Sequence, residues 1–78
     1  MKKNLMQEWE ELNKRYTMSE TMSSTSDIKT SCFNVYETVD NGHYNYEYIK
    51  QPFYYKVTFI RNEHKVFCIP VKIEKKTF

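Results

Sequence analysis

The stretch HYNYEYIKQPFYYKVTFIR, residues 43–61, decides how this chain is read. It holds seven of the thirteen aromatic residues in the protein, which has one Trp, seven Tyr and five Phe. Tyr44, Tyr46 and Tyr48 alternate with Asn45 and Glu47. Phe53, Tyr55, Val57 and Phe59 alternate with Tyr54, Lys56 and Thr58. A period of two marks a half-buried strand, and aromatic and β-branched side chains fit a pleated surface. Gln51-Pro52 divides the two runs and reads as the centre of a tight connection. In that register Tyr48 opposes Tyr55, Tyr46 opposes Val57 and Tyr44 opposes Phe59, so both aromatic sets share one face. A slip of one residue would mix them with Lys56 and Thr58. Proline sits poorly at the second central position of a type I turn, so a wider loop with the same register is the alternative.

The pattern extends on both sides. Asn41-Gly42 is a strong hairpin signal and would pair Val39 with Tyr44 and Val35 with Tyr48. Glu37 then falls on the apolar face as the one misfit. A three-residue loop, Asn62-Glu63-His64, would pair Phe59 with Phe67, Val57 with Ile69, Tyr55 with Val71 and Phe53 with Ile73. Strands are thus expected at 30–39, 43–50, 53–61 and 65–74, as a four-stranded antiparallel meander. Pro70 cannot donate to a ladder and places the last strand at an edge.

Ahead of the sheet, residues 4–16 read as an amphipathic helix. Leu5, Trp9, Leu12 and Tyr16 are spaced four, three and four apart and share one face. Asn4 followed by Gln7 resembles a capping box. A sheet with one apolar face needs a cover, and this helix is the segment able to supply it. The expected fold class is therefore α+β, an N-terminal amphipathic helix packed on a four-stranded antiparallel meander. Residues 17–29 read as a Ser/Thr-rich connector, since nine of the residues from 17 to 31 are Ser or Thr. The tail 75–78 reads as frayed. Seventy-eight residues make one small domain.

Composition narrows the function by exclusion. One glycine cannot form a phosphate-cradling loop, and neither Cys-x-x-Cys nor His-x-Glu occurs. His43, His64, Cys32 and Cys68 are too dispersed on the expected topology for a zinc site. Two turn histidines at one end of a meander could work as acid and base, but solvated turn histidines are far commoner. The expectation is a non-enzyme with no cofactor and no metal. The two cysteines are expected as free thiols of a reducing cytoplasm, and no apolar run is long enough for a membrane helix. Alanine is absent, and lysines outnumber arginines ten to two. That bias against GC-rich codons fits an AT-rich genome, such as a low-GC bacterium or its phage.

Net charge is +2, but residues 1–49 carry −3 and residues 50–78 carry +5. On the expected second face of the sheet, Tyr36, Tyr54 and Ile60 leave apolar area beside Lys56, Arg61 and Lys72. Apolar patches rimmed by polar groups mark contact surfaces, and Tyr is favoured there. These six residues are the candidate partner-binding set. The first expectation is a protein-binding module, a phage or mobile-element inhibitor that occludes a functional surface of a host protein. A homodimer through the open face or an edge strand is a further possibility. The alternative is single-stranded nucleic-acid binding, with rings stacking on bases and lysines meeting phosphates.

Overall fold

The computed structural model describes residues 4–25, 27–42 and 44–78, and for 22–24 the backbone alone. It consists of α1 (Leu5–Arg15), β1 (Thr17–Ser24), β2 (Ile28–Asp40), β3 (Tyr46–Arg61) and β4 (Phe67–Thr77). The strands form one antiparallel sheet in the order β1-β2-β3-β4, and α1 packs on one face. The α+β class and the meander are as the sequence implies.

The helix starts at a reciprocal cap. Asn4 Oδ1 accepts from the Gln7 backbone N–H at 2.8 Å, and the Gln7 side chain accepts from the Asn4 N–H at 3.3 Å. Two of the unpaired donors of the first turn are thereby satisfied. Tyr16 ends the helix in an extended conformation and passes directly into β1. The inward face carries Trp9, Leu12 and Tyr16 onto a core of Phe33, Val35, Tyr55, Val57 and Phe59. Trp9 meets both Phe33 and Phe59, and Tyr16 meets Phe53 edge-on at 6.0 Å.

Three expectations are corrected. First, 17–29 is not a connector: Thr17–Ser24 is a full strand paired with 29–36 of β2. Ser and Thr at alternate positions cost little at a sheet edge, and Met18 supplies a contact to the core. Second, Gln51-Pro52 is not a turn. The expected strands 43–50 and 53–61 are one strand of sixteen residues. Pro52 is accommodated at a bulge, where residues 51–53 of β3 oppose Val35 alone between the pairs Asn34–Tyr54 and Tyr36–Lys50. A proline inside a strand needs such a break in the ladder. Third, the tail is not frayed. β4 reaches Thr77, opposite Phe53, and the Phe78 N–H donates to the Pro52 carbonyl at 3.3 Å.

The connection after β2 is also wider than the expected Asn-Gly turn. Residues 41–45 form the loop, with Gly42 at φ 85° and its N–H donating to Asp40 Oδ1. His43 lies outside the described residues. The loop 62–66 replaces the expected three-residue one. It is organised by Asn62, whose Oδ1 accepts from the N–H groups of His64 and Val66.

The inward set of β4 is not the alternating 67, 69, 71, 73. Register shifts at Val71 and Cys68 leave Phe67, Pro70 and Ile73 facing the core, paired with Arg61, Phe59 and Val57. Each shift inserts one residue and advances the phase by one. β4 is an edge strand, as Pro70 implies. Beyond the helix, Ser31 is fully buried and donates to Glu20 Oε2 at 2.7 Å, and Lys29 Nζ lies 3.1 Å from the same oxygen. Partial burial pushes the Glu20 carboxyl up, but the Ser31 hydrogen bond and the Lys29 contacts outweigh it and hold the group below its ordinary value.

Candidate functional site

β3 keeps a regular alternation from Phe53 to Arg61, because both bulges toward β4 lie in β4. Odd positions 53, 55, 57 and 59 therefore meet the helix, and even positions 54, 56, 58 and 60 point to the opposite, uncovered face. Pairing carries that face across the sheet to Asn34, Tyr36 and Thr38 of β2 and to Lys72, Glu74 and Lys76 of β4.

The same rule explains where Tyr46 and Tyr48 lie. A two-residue turn at 51–52 would put Tyr48 on the side of Tyr55. In a continuous strand Tyr48 shares parity with Tyr54 instead, and it pairs with Thr38 on the open face. Tyr46 pairs with Asp40. The expectation that Tyr44, Tyr46 and Tyr48 line the helix-covered face is thus overturned. The Glu37 misfit disappears as well, because Glu37 pairs with Ile49 beyond the reach of the helix and is exposed. Glu37 and Glu47 share one side, because Glu37 pairs with Ile49 and Glu47 with Val39.

This region is an arm. β1 pairs with β2 no further than Tyr36, and β4 pairs with β3 no further than Phe53. Residues 37–40 and 46–50 therefore run on as a two-stranded ribbon, with no third strand paired to either flank among the described residues. Its rings are bare: Tyr44 is 100% exposed, Tyr46 60% and Tyr48 62%, with Val39 and Ile49 also exposed. Tyr44 is held at φ 60°, a conformation that bulky residues rarely adopt. The arm explains the shape. The radius of gyration is 14.4 Å, against about 11.5 Å for a compact chain of this length.

At the base of the arm, Thr17, Met18, Ser19, Tyr36 and Tyr48 line a shallow, largely apolar groove of about 310 Å³. The Thr17 hydroxyl also meets that of Thr38, at 3.3 Å. On the other side of Tyr36 lies a second aromatic group. The Phe78 ring is 5.1 Å from Tyr54, and Lys50 Nζ stands 4.6 Å over the Phe78 ring. Lys72 and Lys76 are held by one carboxylate, Glu74, at 2.7 and 3.3 Å. The hydrogen bonds from Lys72 and Lys76 depress the Glu74 carboxyl, and the bond to Glu74 raises Lys72.

The structure brings five of the six sequence-derived residues onto this face: Tyr36, Tyr54, Lys56, Ile60 and Lys72. Arg61 is not among them. It has the parity of the core positions, and its guanidinium lies 4.6 Å over the ring of Phe67, which packs on the core. Tyr48, Lys50 and Phe78 belong to the face and escape the sequence reading. The parity of Tyr48 and Lys50 depends on Pro52 lying inside a strand, and Phe78 is brought over by a hydrogen bond to Pro52. No local signal carries either fact.

The loops 41–45 and 62–66 adjoin opposite ends of β3, not one end, and the expected pairing of His64 with His43 falls on a residue outside the described ones. Among the described residues no group of three or more His, Cys, Asp or Glu side chains could hold a metal ion. Cys32 lies on β2 and Cys68 at a β4 bulge, both as free thiols. Among the described residues no helix is long and apolar enough to cross a membrane. Comparison with protein-family models, with curated proteins and with solved structures finds no match to this chain.

Proposed function

We infer that the chain is a non-catalytic protein-binding module whose contact surface is the open sheet face together with the arm. The observation that carries this reading is the bare aromatic ribbon. Tyr44, Tyr46 and Tyr48 stand outside the core on a projecting hairpin and run into Tyr36 and Tyr54 at its base. Rigid amphipathic rings lose little conformational entropy on binding, and tyrosine is enriched at binding hot spots. The arm supports insertion into a concave partner surface, so the mechanism is occlusion. Composition supports a phage or mobile element as the source and a host cytoplasmic protein as the target.

The arm also carries Glu37, Asp40 and Glu47, which favours a basic partner surface over a polyanion. Single-stranded nucleic acid is the second reading, and one observation favours it: Lys50 and the Tyr54–Phe78 pair place a cation beside stacked rings. Against it, Lys72 and Lys76 are already engaged by Glu74. The test is capture from lysate with the native chain and with a Tyr46→Ala/Tyr48→Ala variant, with and without nuclease. One stoichiometric protein, retained after nuclease and lost with the variant, supports protein binding. Capture that disappears with nuclease and weakens steeply with salt identifies nucleic acid.

A further inference from the structure

The two edges of the sheet are built differently. β4 is broken by two register shifts, contains Pro70 and carries Lys72, Lys75 and Lys76. Bulges, proline and lysine are three of the devices that stop an edge from pairing with another strand, and an inward-pointing charge is a further one. β1 has none of the first three. Its eight residues, TMSETMSS, pair with β2 without a shift from Thr17–Tyr36 to Ser24–Lys29, so the strand is regular throughout. It contains no lysine, arginine or proline. Its single charge, Glu20, is turned toward β2, where Ser31 and Lys29 hold the carboxylate. Among the described residues its other flank has no strand beside it.

We propose that β1 is a pairing edge for a second copy of this chain, and that two sheets join antiparallel through β1 into one continuous eight-stranded sheet. The sequence of β1 selects the register. A twofold axis perpendicular to the sheet keeps both helix-covered faces on the same side, so each residue opposes one of equal parity. Centring the axis on Glu20 would oppose two like charges, which is destabilising. Centring it on Ser19 would leave only 17–21 overlapped. Centring it on Thr21 overlaps 18–24, opposes Thr21 with itself and Ser19 with Ser23, and sets Glu20 against Met22. That register is the longest one free of a charge clash. It leaves both arms free, so it is independent of what the open face binds.

Sedimentation equilibrium of the whole chain, over a concentration series reaching the millimolar range, is the first test. The expected result is a rise from 9.6 kDa toward twice that mass. A Ser19→Lys/Thr21→Lys variant is expected to stay monomeric with an unchanged far-UV circular dichroism spectrum. A native chain that is monomeric throughout, or a lysine variant that still dimerises, overturns the proposal. A second variant does not depend on the fold tolerating lysine. Thr21→Cys is made with Cys32→Ser and Cys68→Ser, because Cys32 lies directly opposite Thr21 within one copy. Opposed antiparallel residues have Cα atoms about 4.5–5.5 Å apart, within disulfide range. Mild oxidation should give a covalent dimer with Thr21→Cys and none with Lys56→Cys in the same background. Equal yields from the two variants, or none from Thr21→Cys, overturn the edge assignment, including the case in which β1 accepts only a different protein's strand.

Discussion

The Trp9 ring lies against Phe33, with centroids 4.7 Å apart and planes tilted by 58°. The same indole meets Phe59 nearly edge-on at 5.6 Å. One helix residue thus bridges two neighbouring strands, β2 and β3, at the centre of a core of five buried apolar residues. In so small a core the loss of one ring is a large fraction of total stability. Trp9→Ala is expected to cost about 3 kcal/mol, at the low end for such truncations because Trp9 is only half-buried. Trp9→Phe should cost distinctly less. Urea unfolding followed by circular dichroism would measure both, and a fully stable Trp9→Ala would contradict the packing.

Ser31 and Glu20 give a pH signature. The folded state holds the Glu20 carboxyl below its ordinary value of 4.5. A group depressed on folding contributes stability above its unfolded pKa and loses it as pH falls through the folded one. Stability should therefore drop from about pH 4.5 downward. Glu20→Gln should flatten that part of the profile. Ser31→Ala should cost about 0.5–1.5 kcal/mol at neutral pH, as one hydrogen bond is lost while Lys29 remains. Unfolding midpoints measured from pH 7 to 3 on the three proteins check this, and identical slopes would refute it.

Gly42 should tolerate a side chain sterically but not conformationally. A Cβ there would meet nothing within 4 Å, yet φ is +85°. Gly42→Ala is expected to cost about 1 kcal/mol from the left-handed backbone alone. Gly42→Asn should cost less, because Asn visits that region more readily. Denaturant midpoints of the two variants decide the order.

The open face should separate binding from stability. Tyr54→Ala removes the contact with Phe78 at the surface and is expected to change stability by less than about 1 kcal/mol. Tyr48→Ala, with 62% of its surface already exposed, should do the same. Each is expected to weaken partner binding by about 2 kcal/mol or more if it is a hot spot. Titration calorimetry with the captured partner, alongside thermal melts, reads both quantities. Global unfolding of Tyr54→Ala would mean that this face is part of the core.

What sequence determined by itself was the set of elements whose signal is local. The helix follows from the spacing of Leu5, Trp9, Leu12 and Tyr16 and from the Asn4 cap, all within sixteen residues. The inward set Phe53, Tyr55, Val57 and Phe59 follows from alternation within one strand. What only the tertiary structure decided was phase between segments. Whether Pro52 is a turn or a bulge depends on the partner strand: Asn34 and Tyr36 of β2 pair on either side of it, and that alone fixes the side of Tyr48. β1 becomes a strand because 29–36 of β2 offers it a ladder; Thr17 and Thr21 suit a strand, but a segment this rich in serine does not declare itself one. The two β4 shifts exchange an alternating inward set for Phe67, Pro70 and Ile73, because filling the core outweighs a regular ladder at an edge. Alternation tells which residues share a face within a strand. Long-range hydrogen bonding tells which face, and no local pattern carries that information.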